Sequence, residues 1–374
     1  MLLYHEKNKF KKVIVAMSGG VDSSVCAYLL LQQGYQVEGM FMKNWEEDDK
    51  FNYCASEQDL KDAREVAKKI GIYLHEVNFS TEYWNDVFKN FLLEHQKGNT
   101  PNPDILCNKK IKFGIFFDFA INHLQADYIA TGHYVQIQSL NNQNMLIRGK
   151  DCNKDQSYFL YTLKHQKLKK ILFPIGKFYK TEIRSIAKKI HLPNANKPDS
   201  MGICFIGESN MKQFLNRFIK QKKGNIVDEY GCIIGTHTGL INYTIGQRKG
   251  LGIGGKNHKK NIPWYVLKKN LINNSLTVVQ GINNHQLLSY GLIAHNVNWI
   301  NKINISNNFF CTAKTRYRQN DIPCQVQLIT LKTIQIIFQM PVFCITPGQS
   351  VVLYSYQVCL GGGIIQKIIP KLYI

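Results

Sequence analysis

The sequence predicts an α/β N-terminal domain with a parallel sheet, followed by two smaller, mostly β domains, the last a β-barrel. Three observations carry this. Up to about residue 205, β-branched runs alternate with helical stretches, the pattern of a parallel sheet with helices on both faces. Beyond that point short strands are separated by the turn signals "DEYG", "INNS", "GINN" and "TPGQ", an all-β signature that fits a barrel or a sandwich. A length of 374 residues allows two or three domains at roughly 100–200 residues each. The expected divisions are residues 1–205, 206–282 and 283–374.

The elements follow in order. "KKVIVAM" (11–17) is a β-branched strand, and Asp22–Gln33 a helix stopped by Gly34. "YQVEGMFM" (35–42) is the second strand. Ser56 is read as the cap of a helix through Ile70, with Gly71 as its stop. "IYLHEVNF" (72–79) is the third strand, and a helix is expected over Tyr83–Gln96. "TPNP" (100–103) breaks the chain, Cys107–Leu124 reads as helix, and "DYIATGHY" (127–134) as the fourth strand. Ligands of such sheets bind at the carboxyl ends of the strands, where "SGGVDSS", "MKNW" and "TGHY" fall. Met211–Lys220 is one further helix. In the last part "CQVQLIT" and "TIQIIFQM" alternate with period two, and 250–261 and 301–308 are expected loops.

Composition excludes several classes. The closest two of the ten cysteines are Cys311 and Cys324, a spacing unlike that of a zinc ribbon and a density too low for a disulfide scaffold. No run approaches the ~18 apolar residues of a membrane span, and "MLLYHEKNKF" has no apolar h-region. A cytoplasmic protein with reduced thiols is expected. The net charge is +21 and uneven: from Gly231 onward fourteen Lys/Arg face one acid, Asp321. A portion almost without carboxylates suits a polyanion, nucleic acid above all.

"AMSGGVDSSV" (16–25) lies between a strand and a helix, which aims backbone N–H groups and a helix N-terminus at an anion. It lacks the lysine of a G-x-x-x-x-G-K-[ST] loop. Its glycines allow close backbone approach, its serines donate, and Asp22 is the candidate to hold a nucleotide's metal ion. The loop resembles that of the PP-loop ATP pyrophosphatases. That resemblance implies an adenine-nucleotide α-hydrolase-like fold and an ATP cut between its α- and β-phosphates, with Mg2+ as counter-ion and no metal site beyond it.

Two cysteines stand out. Cys107, at the expected start of a helix, is followed by Lys109, Lys110 and Lys112, a setting that favours thiolate. Cys204 lies between Gly202 and Gly207 in "KPDSMGICFIGE". With these in view, the chain resembles the bacterial tRNA-specific 2-thiouridylases. The matching stretches are "MSGGVDSSV", "FMKNW", "TPNPDILCNKKIKF", "ATGHY", "KDQSYFL", "DSMGICFIGE", "YTIGQRKGLGIGG", "PWYV", "VVQG", "AKTRYRQ", "TPGQSVV" and "CLGGGII", running from residue 17 to 365. Val135 and Gln136 after "TGHY", and Phe343 and Cys344 before "ITPGQ", depart from the pattern without touching a chemical group.

The resemblance implies that ATP adenylates the C2 oxygen of the first-anticodon-position uridine of a tRNA, and that a cysteine persulfide then replaces that oxygen with sulfur. It implies Cys204 as the persulfide carrier, Cys107 as the nucleophile, and a disulfide between them. Ala16, Met17, Ser18, Gly19, Gly20, Val21, Asp22, Ser23, Met42 and Gly132 match ATP contacts. Asn102, Pro103 and Asp104 match the segment that meets the target base, with Asp104 either an acid/base group or a helix cap. His133, Lys154, Asp155, Gln156, Arg316, Tyr317 and Gln349 match other tRNA contacts. A sulfur-relay protein or cysteine desulfurase is implied as donor, and a monomer as the working state. Terminal-sulfur attack on C2 and prior release of hydrosulfide both stay open. The rivals are a PP-loop ligase adenylating a small molecule, which needs neither Cys107 nor a basic β portion, and a non-catalytic RNA-binding protein.

Overall fold

The computed structural model describes residues 8–46, 55–140, 143–199, 211–253, 262–301 and 307–370. Cys204 and the greater part of the loops expected at 250–261 and 301–308 lie outside the described residues.

The chain opens with β1 (Lys12–Ala16), β2 (Gln36–Lys43), β3 (Leu74–Asn78) and β4 (Tyr128–Thr131). A hairpin of β5 (Val135–Leu140) and β6 (Gln143–Arg148) follows, then the short β7 (Ile171–Leu172). Among the described residues the first sheet is five-stranded and parallel, in the order β3-β2-β1-β4-β7. The central strand β1 is apolar without a break because both faces are covered, and Val13, Ile14 and Val15 have no exposed surface. Helix α1 (Val21–Gln32) follows β1 and α2 (Ala55–Ile70) follows β2. Ser56 therefore lies inside α2 rather than capping it.

Two helices start earlier than their sequences suggest. The one expected from Tyr83 begins at Ser80 and runs on through a π-helical turn, Trp84–Phe88, to Gln96. The one expected from Cys107 begins at Pro103. Asn102 caps it, its Oδ1 accepting from the N–H groups of Asp104 at 3.1 Å and Ile105 at 3.4 Å. Pro103 supplies the preset φ of a first helical position. Cys107 thus ends the first α-helical stretch, Pro103–Cys107, and a π-helical stretch, Asn108–Ile115, carries the chain into Phe116–Asn122.

The second sheet, β10-β11-β8-β9, comprises β8 (Gly224–Val227), β9 (Ile233–His237), β10 (Trp264–Asn270) and β11 (Ser275–Gln280). It closes over Ile226, Leu240, Val266, Leu276 and Val278. The last six strands are β12 (Leu288–Trp299), β13 (Asn308–Lys314), β14 (Ile322–Thr330), β15 (Thr333–Phe343), β16 (Ser350–Ser355) and β17 (Val358–Ile369). They pair in the order β12-β15-β14-β13-β16-β17, and β17 pairs back to β12, which closes the expected barrel.

The barrel is not a separate body. β17 also pairs with β6, Val358 opposite Ile147. Tyr158 donates to the Ser350 carbonyl at 2.8 Å, and the hydroxyls of Tyr161 and Ser350 meet at 3.0 Å. Arg148 lies 3.8 Å over the Tyr354 ring and pairs with Asp321 at 2.7 Å. Tyr158, Tyr161, Val352, Tyr354 and Cys359 share one buried core with Ile14, Met40 and Ile129 of the parallel sheet. Among the described residues no helix is long and apolar enough to cross a membrane.

Candidate active site

The chain leaves β1 at Ala16 and reverses through Met17–Gly20 into α1. Gly19 adopts φ +72°, and a Cβ there would lie 2.2 Å from the Asp59 carbonyl oxygen of α2. Only glycine fits both demands. Gly20, at φ −84°, is the helix N-cap and has no side chain to occupy the first N–H groups of α1. Ser23 donates to the Gly20 carbonyl at 3.0 Å, and the Ser18 N–H donates to Ser23 Oγ at 3.2 Å. The loop is therefore held by its own hydroxyls. The turn after β4 supplies Gly132, where a Cβ would sit 2.8 Å from the backbone of Asp22 and Ser23. Met42, half-buried at the end of β2, borders the same edge of the sheet. Ala16 to Ser23, Met42 and Gly132 thus gather at the carboxyl ends of β1, β2 and β4. Such an edge, where a glycine loop meets a helix N-terminus, suits the phosphates of a nucleotide, with the Ser18 and Gly20 N–H groups donating meanwhile to the Ser23 and Ser18 hydroxyls.

Sequence reading missed what surrounds the loop. Lys180 Nζ donates to both carboxylate oxygens of Asp22 at 2.8 Å and pairs with Asp199 at 2.7 Å. A lysine absent from the loop's own sequence therefore reaches it from the helix Lys180–Lys189. The Tyr134 hydroxyl donates to Asp22 at 2.8 Å. Buried Asn194 donates to the Gly19 carbonyl and to Ser24 Oγ, each at 2.9 Å. Lys197 pairs with Asp59 at 2.7 Å and with Asp62, fastening α2 where it meets Gly19. Asp199 also accepts from Lys154 at 2.6 Å and Arg184 at 2.7 Å. Burial works to raise the Asp199 carboxyl, but Lys154 and Lys180 outweigh it and hold it at about 2.

Cys107 is 3% exposed, in the core that also holds Ile105, Ile111 and Phe113. Asp104, one turn earlier and half-buried, has its carboxyl raised by burial, with the Lys112 ammonium opposing. Burial, and then the neighbouring ammoniums of Lys110, Lys164 and Lys332, push Lys109 below its ordinary value. Cations of the parallel-sheet domain and of the barrel thus converge beside the Cys107 helix, a field that attracts a polyanion.

The residues expected to meet RNA are placed unevenly. His133 is buried, its Nδ1 2.7 Å from Thr131 Oγ1, and burial followed by Lys112 keeps the ring neutral. A neutral interior imidazole has no charge to offer a phosphate. Asp155 is buried and accepts from Gly149 N at 3.0 Å, Ser157 N at 3.1 Å and Ser157 Oγ at 2.8 Å. Its carboxylate shapes the turn. Gln156 Oε1 accepts from Tyr134 N at 2.9 Å, and Lys154 is tied to Asp199. Tyr317 packs on Phe159, ring centroids 4.5 Å apart. Arg316 directs Nη2 at the carbonyls of Cys344 (2.6 Å) and Ile245 (3.2 Å), and Gln349 donates to the Thr100 carbonyl at 2.7 Å.

This geometry agrees with comparisons across the whole chain. Residues 11–208 match the family model described as tRNA methyl transferase HUP domain. Residues 212–280 match its PRC-barrel domain, and residues 289–365 the aminomethyltransferase beta-barrel domain. A protein of Buchnera aphidicola subsp. Schizaphis graminum called tRNA-specific 2-thiouridylase MnmA is 60% identical over 97% of this chain and 99% of its own length. Proteins of the same name from Haemophilus ducreyi and Photorhabdus laumondii are each 55% identical over 96% of this chain, and over 94% and 98% of their own lengths. With a glycine-serine nucleotide cradle at the sheet edge, a buried cysteine on an adjoining helix and a closed barrel sharing the same core, the chain belongs to the family of tRNA-specific 2-thiouridylases.

Proposed function

We propose that this chain is an ATP-dependent tRNA-uridine 2-sulfurtransferase acting on the first anticodon position. The observation that carries the reading is full-length similarity, at 60% identity, to a relative of that name. The cradle between Gly19 and Gly132 and the basic surroundings of Cys107 supply the chemistry it needs. A small-molecule ligase would have no use for that second feature.

The C2 oxygen of uridine is a poor leaving group. Its attack on the α-phosphate of ATP expels pyrophosphate and leaves an O-adenylate, whose AMP departs readily. Ala16 to Ser23, Met42 and Gly132 hold the nucleotide. Asp22 does not fit a magnesium ion as it stands: both of its carboxylate oxygens are held by the Lys180 ammonium, and the Tyr134 hydroxyl donates to one of them. Among the described residues no three His, Cys, Asp or Glu side chains gather to hold a metal unaided.

Cys204 carries the persulfide, loaded by a relay protein or cysteine desulfurase. Its terminal sulfur reaches C2 by direct attack, or after the Cys107 thiolate releases it as hydrosulfide. After direct attack the new base sulfur stays bonded to Cys204 Sγ until the Cys107 thiolate attacks that Sγ and frees the thiouridine; on the other route the released hydrosulfide attacks C2 itself. Both routes expel AMP and leave Cys107 and Cys204 joined as a disulfide, which a thiol reductant reopens. Asn102, Pro103 and Asp104 meet the base. Asp104, whose carboxyl burial raises above its ordinary value, is placed to give or take a proton. His133, Lys154, Asp155, Gln156, Arg316, Tyr317 and Gln349 line or shape the approach of the RNA. The enzyme works as a cytoplasmic monomer of three domains, 1–205, 206–282 and 283–374.

The test is reconstitution with tRNA, ATP and a persulfide donor, read by nucleoside mass spectrometry. Wild type forms 2-thiouridine and tRNA-dependent AMP. Cys204→Ser and Cys107→Ser form no thiolated product, and a donor still loads Cys204 in the second. AMP formation independent of tRNA would favour the small-molecule ligase, and thiolation by Cys204→Ser would refute the two-cysteine scheme.

A further inference from the structure

The turn between β15 and β16 reaches across the molecule to the segment preceding Cys107. The Thr100 N–H donates to the Pro347 carbonyl at 3.1 Å, and the Thr100 carbonyl accepts from Gln349 Nε2 at 2.7 Å. Both backbone groups of one residue are thus taken by the barrel. Contact is close enough that a Cβ on Gly348, which has φ +88°, would lie 2.8 Å from Asn99 Cβ and 2.9 Å from Thr100 N.

The turn is itself fixed. Gly348 N donates to the Ile365 carbonyl at 2.9 Å, and Ile365 N donates to the Gln349 carbonyl at 2.8 Å. Thr346 Oγ1 donates to the Cys344 carbonyl at 3.0 Å. Arg316 Nη2 reaches the carbonyls of Cys344 and Ile245 and lies 3.2 Å from Thr346 Oγ1. Ile245 belongs to the central domain, so all three parts of the chain meet here. Two residues beyond Thr100, Asn102 caps the Pro103–Cys107 helix.

We propose that the turn Thr346–Gln349, braced by Arg316, is a positioning element for Cys107: it fixes Thr100, through Thr100 the Asn102 cap, and through the cap the place of the thiol. Gln349 and Arg316 are then positioning residues, whatever RNA they also touch. The barrel takes part in building the reaction centre as well as in holding the substrate. Gly348 sharpens the distinction, because it has no side chain with which to bind RNA, yet it forms the contact with Asn99 and Thr100.

This rests on Cys107 being the nucleophile, and the test separates the two ideas. Full-length, fully reduced Gln349→Ala and Gly348→Ala are treated with iodoacetamide in the absence of RNA and nucleotide, and alkylation is mapped by peptide. Loss of a hydrogen-bonded clamp increases local opening on the order of threefold to tenfold. Cys107 should be alkylated faster by that factor in both variants. Cys26, which has no exposed surface and lies in α1 remote from the turn in sequence, should keep its wild-type rate. In turnover kcat should fall in both variants, and for Gly348→Ala, which removes no RNA-binding side chain, KM for tRNA should stay within about twofold. An unchanged Cys107 rate in both variants, or a raised KM with unchanged kcat for Gln349→Ala, would make Gln349 an RNA contact alone and overturn the proposal. Equal acceleration at Cys26 and Cys107 would show general loosening and overturn it too. Normal turnover by Cys107→Ser would instead remove the proposed function and leave the alkylation result standing.

Discussion

Replacing Gly19 by alanine separates two costs that the loop combines. At φ +72° an alanine sits in the left-handed region, which costs about 1–2 kcal/mol. Its Cβ would also lie 2.2 Å from the Asp59 carbonyl oxygen. That is more than ~1 Å inside ordinary contact, and overpacking of this kind costs roughly 1–3 kcal/mol more. The sum is about 2–5 kcal/mol. Gly71 provides the reference, since its φ is +76° and nothing lies within 4 Å of its Cβ position. Gly71→Ala should therefore bear the conformational cost alone. At about 2–4 °C per kcal/mol for a domain of this size, Gly19→Ala should melt several degrees below Gly71→Ala. Gly20→Ala is a third arm: its φ is −84° and its Cβ would approach only Ser18 Oγ, at 3.3 Å. It should leave the melting temperature near wild type but, under the proposed function, still weaken ATP, because it adds a methyl group to the loop that is to receive the phosphates. Calorimetric titration with ATP should give at least a tenfold loss for Gly19→Ala and none for Gly71→Ala. Equal melting temperatures and equal ATP affinities for the Gly19 and Gly71 variants would refute the close-contact reasoning.

Two further outcomes are expected. Because burial raises the Asp104 carboxyl above its ordinary value of 3.8, the folded state holds its proton more tightly than the unfolded state, and this group costs stability as pH rises from about 4 through the folded value. Asp104→Asn should thus be more stable than wild type at neutral pH, with the gain vanishing below about pH 4 in urea titrations, and should lose thiolation if the carboxyl moves a proton. Binding of tRNA should weaken steeply with salt, and Lys109→Ala or Lys332→Ala should each lower the log–log slope by about 0.7–0.9 in filter binding, where an unchanged slope would remove that lysine from the RNA path.

Much of the fold was legible because its signals are local. "KKVIVAM" and "YQVEGMFM" show their burial in their own residues, and the strand–loop–helix order around Gly19 and Gly20 is continuous in the chain. The partners of that loop were not legible. Lys180 and Asp22 are 158 positions apart, and Asn194 and Gly19 are 175 apart, so the fold alone joins them. Neither Lys180 nor Asn194 has a sequence environment unlike that of many surface residues. "TPNP" was misread for a different reason. Taken as a break, it is also a helix start, with Asn102 as cap and Pro103 in the first turn. Lys154, Asp155 and Gln156 of "KDQ" were expected as tRNA contacts, and the sequence did not show that each also has a partner within the fold. The hairpin β5–β6 is local, Val135 opposite Arg148 through Leu140 opposite Gln143, and was missed for want of a strong apolar alternation; only its contact with β17, more than two hundred residues downstream, depends on the fold.

That late pairing bears on synthesis. β17 closes the barrel against β12 and also lies against β6, while Val352, Tyr354 and Cys359 complete the core around Tyr158 and Tyr161. At about 5–20 residues per second, a ribosome needs on the order of ten seconds or more to travel from β6 to β17. During that interval the nascent nucleotide domain presents an uncovered apolar patch and an unpaired strand edge, both of which recruit chaperones or promote aggregation. Premature termination shortly before β17 would therefore withhold the cover of the first domain as well as the seam of the last.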